Sequence, residues 1–208
     1  MLDPGSLELV ASQGDRLTTN AYRSDFRQRR MEISRQDCWK LERRQQFEEQ
    51  DSSWQAVRRG SWEEALRLLE DKREGLLSAT RRDQQLHTVF RRVRVVEEPL
   101  TPYLQWELHA LRVQAESGRV IRVIDSAELA ELERAGPLPE VVVLGDQALY
   151  QVVYTEAGAL DGAVRFREPT LIARWASLVR ELYEAGEELL PFFERRVADL
   201  PPPRATAE

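Results

Sequence analysis

The chain has 208 residues, 42% apolar and 32% charged, with a net charge of −6. A domain of this length buries roughly 70% of its unfolded surface, so it needs no disulfide or metal staple, and its composition excludes disordered and collagen-like classes. One cysteine, Cys38, and two histidines, His87 and His109, cannot assemble a Cys/His zinc cage, no apolar run approaches the ~18 residues of a membrane span, and no apolar leader opens the chain. The expected location is cytoplasmic, with no cofactor and no membrane partner.

Residues 1–34 lack sustained periodicity and hold Pro4, Gly5 and Gly14. They are expected to form a weakly ordered lead-in with one short helix. The segment 35–85 reads as a helical region: Asp51, Ser52 and Ser53 offer caps before Trp54, and Ser61 with Glu64 makes a capping box. Trp62, Ala65, Leu66 and Leu69 then repeat at helical spacing. Trp39, Trp54 and Trp62 are read as core or inter-helix packing, with a binding surface as the alternative. Gly75 and the polar run 78–85 predict a loop that divides this region from an α/β domain over 86–200.

Past that loop the pattern turns to β-branched runs near 89–96, 120–124, 141–144 and 149–155, which predict four strands. Thr101 caps a helix from about 103 to 117 that ends at Gly118, so the first two strands and their crossover helix should form a parallel unit. A short acidic helix is expected over 127–135. The third and fourth strands are separated only by Gly145–Ala148, a hairpin length. An amphipathic helix starts at Pro169 and is read as continuing past Gly186, and Pro201–Pro203 opens a disordered tail over 201–208. The fold class is therefore α/β or α+β: a mixed, mostly parallel sheet of about four or more strands with flanking helices, preceded by the helical region.

The search for chemistry is mostly negative. His87 falls in the predicted loop and His109 on the crossover helix, three places from Trp106, and neither sits in a nucleophile motif. The acidic runs at 128–133 and 187–188 read as solvated helix faces. Asp125 and Asp146 follow apolar strands, where open α/β sheets place ligands, and are the candidates for a magnesium site.

The basic residues are 28 Arg and 2 Lys, with 19 of them against 16 acids in 1–94 and 11 against 20 in 95–208. This asymmetry predicts internal docking or an anionic partner. Arg91, Arg92, Arg94, Arg119 and Arg122 lie on adjacent strand edges, where guanidinium forks bind phosphate or carboxylate. Their alternative is pairing with acids such as Glu97, Glu98 and Glu107. Arg27, Arg29, Arg30, Arg43 and Arg44 make nucleic acid a further possible partner, although no recognised nucleic-acid motif accompanies them.

The stretches Trp39-Lys40-Leu41-Glu42-Arg43, Arg92-Val93-Arg94-Val95-Val96, Pro99-Leu100-Thr101-Pro102-Tyr103 and Trp106-Glu107-Leu108 resemble an actinobacterial domain family of unknown function. The resemblance spans about 36–199 and implies one unit, encoded in streptomycetes beside helix-turn-helix regulators. A second likeness is one of topology, to half of a phospholipase D-like fold. With Asp146 aligned on that family's aspartate, its His and Lys positions fall on Pro139 and Val141, which can neither attack phosphorus nor neutralise a phosphoryl oxygen. The resulting expectation is a non-catalytic regulatory protein that partners a helix-turn-helix regulator, with Arg92, Arg94, Tyr103, Trp106 and Asp146 as its recognition surface. The alternatives are a divergent phosphodiester- or nucleotide-processing enzyme using Arg92, Asp125 and Asp146, and direct nucleic-acid binding by the Arg-rich first half.

Overall fold

A computed structural model describes residues 7–203. Its strands are β1 (Asp15–Leu17), β2 (Cys38–Glu42), β3 (Phe90–Val96), β4 (Val120–Asp125), β5 (Val141–Leu144), β6 (Ala148–Tyr154), β7 (Leu160–Phe166) and β8 (Glu187–Glu188). The helices are α1 (Thr19–Glu32), α2 (Ser52–Arg58), α3 (Trp62–Glu70), α4 (Arg73–Gln85), α5 (Pro102–Glu116), α6 (Pro169–Ala185) and α7 (Leu189–Arg196). All strands join one sheet in the order β1-β7-β6-β5-β2-β3-β4-β8. Only β2 with β3 and β3 with β4 are parallel. The expected mixed sheet is therefore present, but antiparallel pairs dominate it, because β5, β6 and β7 follow one another through short turns.

Alternation along the strands sorts side chains to two faces. Trp39, Leu41, Val93, Val95, Ile124, Val141 and Val143 turn to one face, where α6 covers them through Ile172, Trp175, Leu178 and Val179. The other face carries several covers. Over β5 to β7, α1 lays Tyr22 and Phe26 on Val142, Tyr150 and Ala163. Over β4, α5 and α7 pack Leu104, Leu108, Phe192 and Phe193 against Ile121 and Val123. A third cluster of Phe47, Trp54, Tyr103 and Trp106 joins α2 and α3 to α5. Trp39 and Trp54 are buried and Trp62 meets His109 edge to face, as packing predicts.

The expected parallel β3-α5-β4 unit is present, with the Thr101 hydroxyl accepting from the Leu104 N–H at 3.0 Å. The β5-β6 hairpin also forms, with Gly145 at φ +52. Ser61 precedes α3 without a side-chain cap bond, whereas Asp51 caps α2.

Several expected elements differ. The lead-in contains β1 and the 14-residue α1, fixed by pairing of β1 with β7 and by the docking of Tyr22 and Phe26. The helical region begins with a strand: β2 lies between β5 and β3, and α2 to α4 are the connection from β2 to β3. There is thus no separate N-terminal helical part. The polar run 78–85 is the second half of α4, which buries no residue fully. The acidic segment 127–135 holds only a 3-10 turn over Ser126–Leu129. Gly186 stops α6 in extended conformation, so β8 and α7 follow as separate elements. In the tail, Pro201–Pro203 is irregular and 204–208 lie outside the described residues.

Strand β7 was hidden by its glycine. Gly162 has φ +99, and a Cβ there would sit 2.1 Å from the Leu17 carbonyl oxygen. A glycine in a strand marks such a close backbone approach as well as a break.

Candidate binding cleft

The parallel register of β2 and β3 creates the charged site. It sets Lys40 beside Arg92 and Glu42 beside Arg94, all on the face away from α6. A central strand ordinarily reads as a continuous apolar run. Here two positions on this face of each strand carry charge, and helix α5 supplies Glu107 opposite them.

Arg94 is fully buried, at 0% exposure. Its Nε and Nη2 meet Glu107 Oε2 at 2.8 and 2.7 Å, and its Nη1 donates to the Glu42 and Val95 carbonyls at 3.2 and 2.8 Å. Burial works against the Arg94 charge, but the Glu107 and Glu42 carboxylates outweigh it and lift its pKa above the ordinary value. The Glu42 carboxylate pairs with Lys40 and lies 3.3 Å from Arg92 Nε. Burial would raise its pKa, yet the charges of Arg92, Lys40 and Arg94 hold it well below the usual carboxylate range.

Glu140, just before β5, closes the array from the other side. Its Oε1 accepts from the Arg43 and Arg44 backbone N–H groups at 2.7 and 2.6 Å, while Oε2 is buried without a hydrogen-bond partner. Burial pushes this carboxyl up to about 7 despite those two donors. The Arg43 side chain is tied to Glu133 at 2.6 and 2.9 Å and to Glu97 at 2.5 Å. Removing buried charges from water costs several kcal/mol per ion, so an array of this kind depends on near-complete mutual pairing.

Three cavities open around the array. One of about 200 Å³ is lined by Lys40, Glu42, Arg92 and Glu107, with Tyr103 and Trp106 in its wall. Another of about 320 Å³ lies on the α1 and α4 side and shares Arg92 with the first. The widest, about 910 Å³, is lined by Arg43, Arg44, Glu97, Glu133, Glu140 and Tyr154.

Of the five residues expected to form a recognition surface, Arg92, Arg94, Tyr103 and Trp106 come together and Asp146 does not. Of the four that meet, only Arg92 keeps an accessible charged end. Arg94 lies beneath it, held by Glu107. Tyr103 and Trp106 are core residues, not exposed anchors: the Tyr103 hydroxyl bonds Glu49 at 3.0 Å and the Trp106 N–H donates to Ser53 Oγ at 3.1 Å. Helical packing of α5 against α2 takes both rings inside. Asp146 is exposed in the β5-β6 turn, where its backbone N–H meets Gln36 at 3.3 Å.

The proposed Arg92, Asp125 and Asp146 convergence is absent as well. Asp125 caps the 3-10 turn by accepting from the Ala127 N–H at 2.8 Å and lines a different hollow. Strand alternation also divides the arginine set. Arg91 and Arg122 turn to the α6 face, over Trp39 and Tyr183 at 5.2 and 4.8 Å, whereas Arg92 and Arg119 line one cavity. The expected pairing with acids holds for Arg94 with Glu107, while Glu97 serves Arg43 and Glu98 serves Arg196.

His109 is wedged between Trp62 and Phe193, ring centroids 5.0 and 4.8 Å away, and burial lowers its pKa to about 4. His87 sits at φ +50 after α4. Cys38 is buried, which raises its thiol pKa. No group of three or more His, Cys, Asp or Glu placed to hold a metal ion occurs among the described residues, nor does a helix long and apolar enough to cross a membrane.

Sequence reasoning missed Lys40, Glu42 and Glu140. The available signal was the alternation of Lys40 and Glu42 between apolar Cys38, Trp39 and Leu41. Read as a strand, it places two charges opposite the Arg92 and Arg94 pattern.

A family model described as a domain of unknown function (DUF6879) matches residues 24–194. The chain belongs to this family. The DUF6879 match begins inside α1 and ends inside α7, so every residue of the charged array lies within it. No curated protein matches the chain.

Proposed function

We propose that this DUF6879 domain works by binding, as a regulatory partner of a helix-turn-helix transcriptional regulator. The observation that carries the reading is the convergence of Lys40, Glu42, Arg92 and Glu107 on one cavity over a floor already fixed by the Arg94–Glu107 pair. Preorganised charges of this kind recognise a partner with little ordering cost. Two groups that ordinarily carry catalysis are withheld, since Cys38 is buried and His109 is packed between aromatic rings. The choice of regulator rests on the resemblance to domains encoded beside such proteins.

Affinity capture of the tagged full chain from its native host, followed by mass spectrometry, tests the proposal. A DNA-binding protein is expected with the parent and is expected to be lost with Arg92→Glu. A reproducibly partner-free monomer contradicts the reading.

A second reading, a phosphodiester- or nucleotide-processing enzyme, draws on Glu140, whose carboxyl titrates at about 7 in the wall of the widest cavity. A group tuned near neutrality is suited to general acid or base work. The topological likeness to phospholipase D adds nothing to it, because Pro139 and Val141 occupy that family's His and Lys positions.

A further inference from the structure

The cavity between α1 and α4 has a charge opposite to that of the whole chain. It measures about 320 Å³, and a hollow of about 270 Å³ adjoins it through Phe26, Arg30 and Arg82. Together they are lined by Arg23, Arg27, Arg30, Arg82, Arg92 and Arg119, against the single carboxylate of Asp83. This excess of cations sits in a protein of net charge −6.

Asp83 organises the cations and does not neutralise them. Its two oxygens hold Arg30 Nη2 at 2.7 Å and Arg119 Nη1 at 2.6 Å. The Arg30 side chain is only 11% exposed, rests over the Phe90 ring at 5.6 Å, and keeps a buried Nη1 with no hydrogen-bond partner. Arg23, Arg27 and Arg82 have no ion-pair partner among the described residues, and Arg92 Nε lies 3.3 Å from Glu42. Several guanidinium groups therefore face one space with donors to spare. Such a fork set matches the oxygens of a doubly charged phosphate better than a lone carboxylate.

The remaining wall is apolar except for Gln114: Phe26, Leu76, Ala79, Phe90 and Ile121. A ligand of this cavity therefore has an anionic head and an organic body, and the volume falls in the range of small-molecule sites. We propose that the α1–α4 cavity binds a phosphate monoester of mononucleotide size, with its phosphate among Arg30, Arg82, Arg92 and Arg119 and its ring against the Phe26 and Phe90 wall. A recess of about 320 Å³ suits a terminal phosphate, whereas the phosphates of duplex DNA lie on a convex surface. The inference goes beyond the regulatory reading and holds with or without a protein partner.

Calorimetric titration of the full chain at 150 mM salt tests it, using the four 5′-ribonucleoside monophosphates, the four parent nucleosides and a 20-base-pair DNA duplex as probes. At least one monophosphate is expected to bind about tenfold or more tightly than its nucleoside, because charge-assisted hydrogen bonds to phosphate supply the difference. Arg82→Ala, a change at an exposed helix position, is expected to erase most of that difference while leaving thermal unfolding unchanged. The proposal is overturned by any of four results: no monophosphate bound at millimolar concentration, equal affinity for nucleoside and monophosphate, a preference that survives Arg82→Ala, or binding of the duplex alone. Because partner capture is read separately, failure here leaves the regulatory proposal standing, and the reverse also holds.

Discussion

Glu140 and His109 carry opposite proton linkages. Burial raises the Glu140 pKa from 4.5 to about 7, so between those values the folded chain keeps a proton that the unfolded chain has lost. Its contribution is fully present below pH 4.5 and disappears as pH rises through 7. His109 falls from 6.5 to about 4, so in that interval the unfolded chain holds the extra proton. Its contribution is present above pH 6.5 and is lost as pH falls through 4. Denaturant unfolding at pH 4.5 and 7.5 separates them. Glu140→Gln should gain about 1–3 kcal/mol on the parent at pH 7.5 relative to pH 4.5, and His109→Phe should gain relative to the parent in the acid sample. Equal shifts at both pH values would contradict the burial of these groups.

Arg94 is the other decisive residue. Arg94→Met leaves Glu107 buried without its counter-charge and should cost about 3–5 kcal/mol, whereas Arg94→Met with Glu107→Leu should recover most of that loss. A single variant that costs less than about 1 kcal/mol would show that the pair is not desolvated.

Legibility from sequence followed how each element is stabilised. Elements held by an apolar stripe or run were readable: β3 to β6, α5 with its Thr101 cap, and α6. Elements held by tertiary contact were not. Helix α4 buries no residue fully, and α1 docks through the rings of Tyr22 and Phe26, so neither carries a strong helical stripe. Strand β2 was obscured because Lys40 and Glu42 serve the cleft and not the core. The site was legible in part: the arginines on β3 and Glu107 as an acid for them were evident, while the placement of Glu42 and Lys40 beside them depended on the β2–β3 register. Two glycines test the element account. Gly162→Ala places a Cβ against the Leu17 carbonyl at a left-handed backbone and should cost more than about 2 kcal/mol. Gly75→Ala meets open space in α4 and should gain about 0.5 kcal/mol. Loss on both, read by urea unfolding, would contradict the assignment of α4 as a helix.

At the scale of the molecule, the crossover from β2 to β3 joins the helical segment to the sheet, and the β1–β7 pairing joins the first residues to the last strands. Tryptophan fluorescence and far-ultraviolet circular dichroism should therefore report one coincident unfolding transition; two separated transitions would instead indicate an independent helical unit. The acidic whole contains a cationic cavity between α1 and α4, beside a mixed-charge array whose Arg94–Glu107 and Lys40–Glu42 pairs are fixed before any ligand arrives. In the proposed reading this arrangement serves recognition and not proton transfer. A count of product molecules per chain tests that claim most directly, with purified protein at micromolar and a panel of phosphodiesters and mononucleotides at millimolar concentration. The account predicts fewer than about one product per chain over hours, whereas sustained multiple turnover that disappears with Glu140→Gln or Arg92→Ala would contradict it.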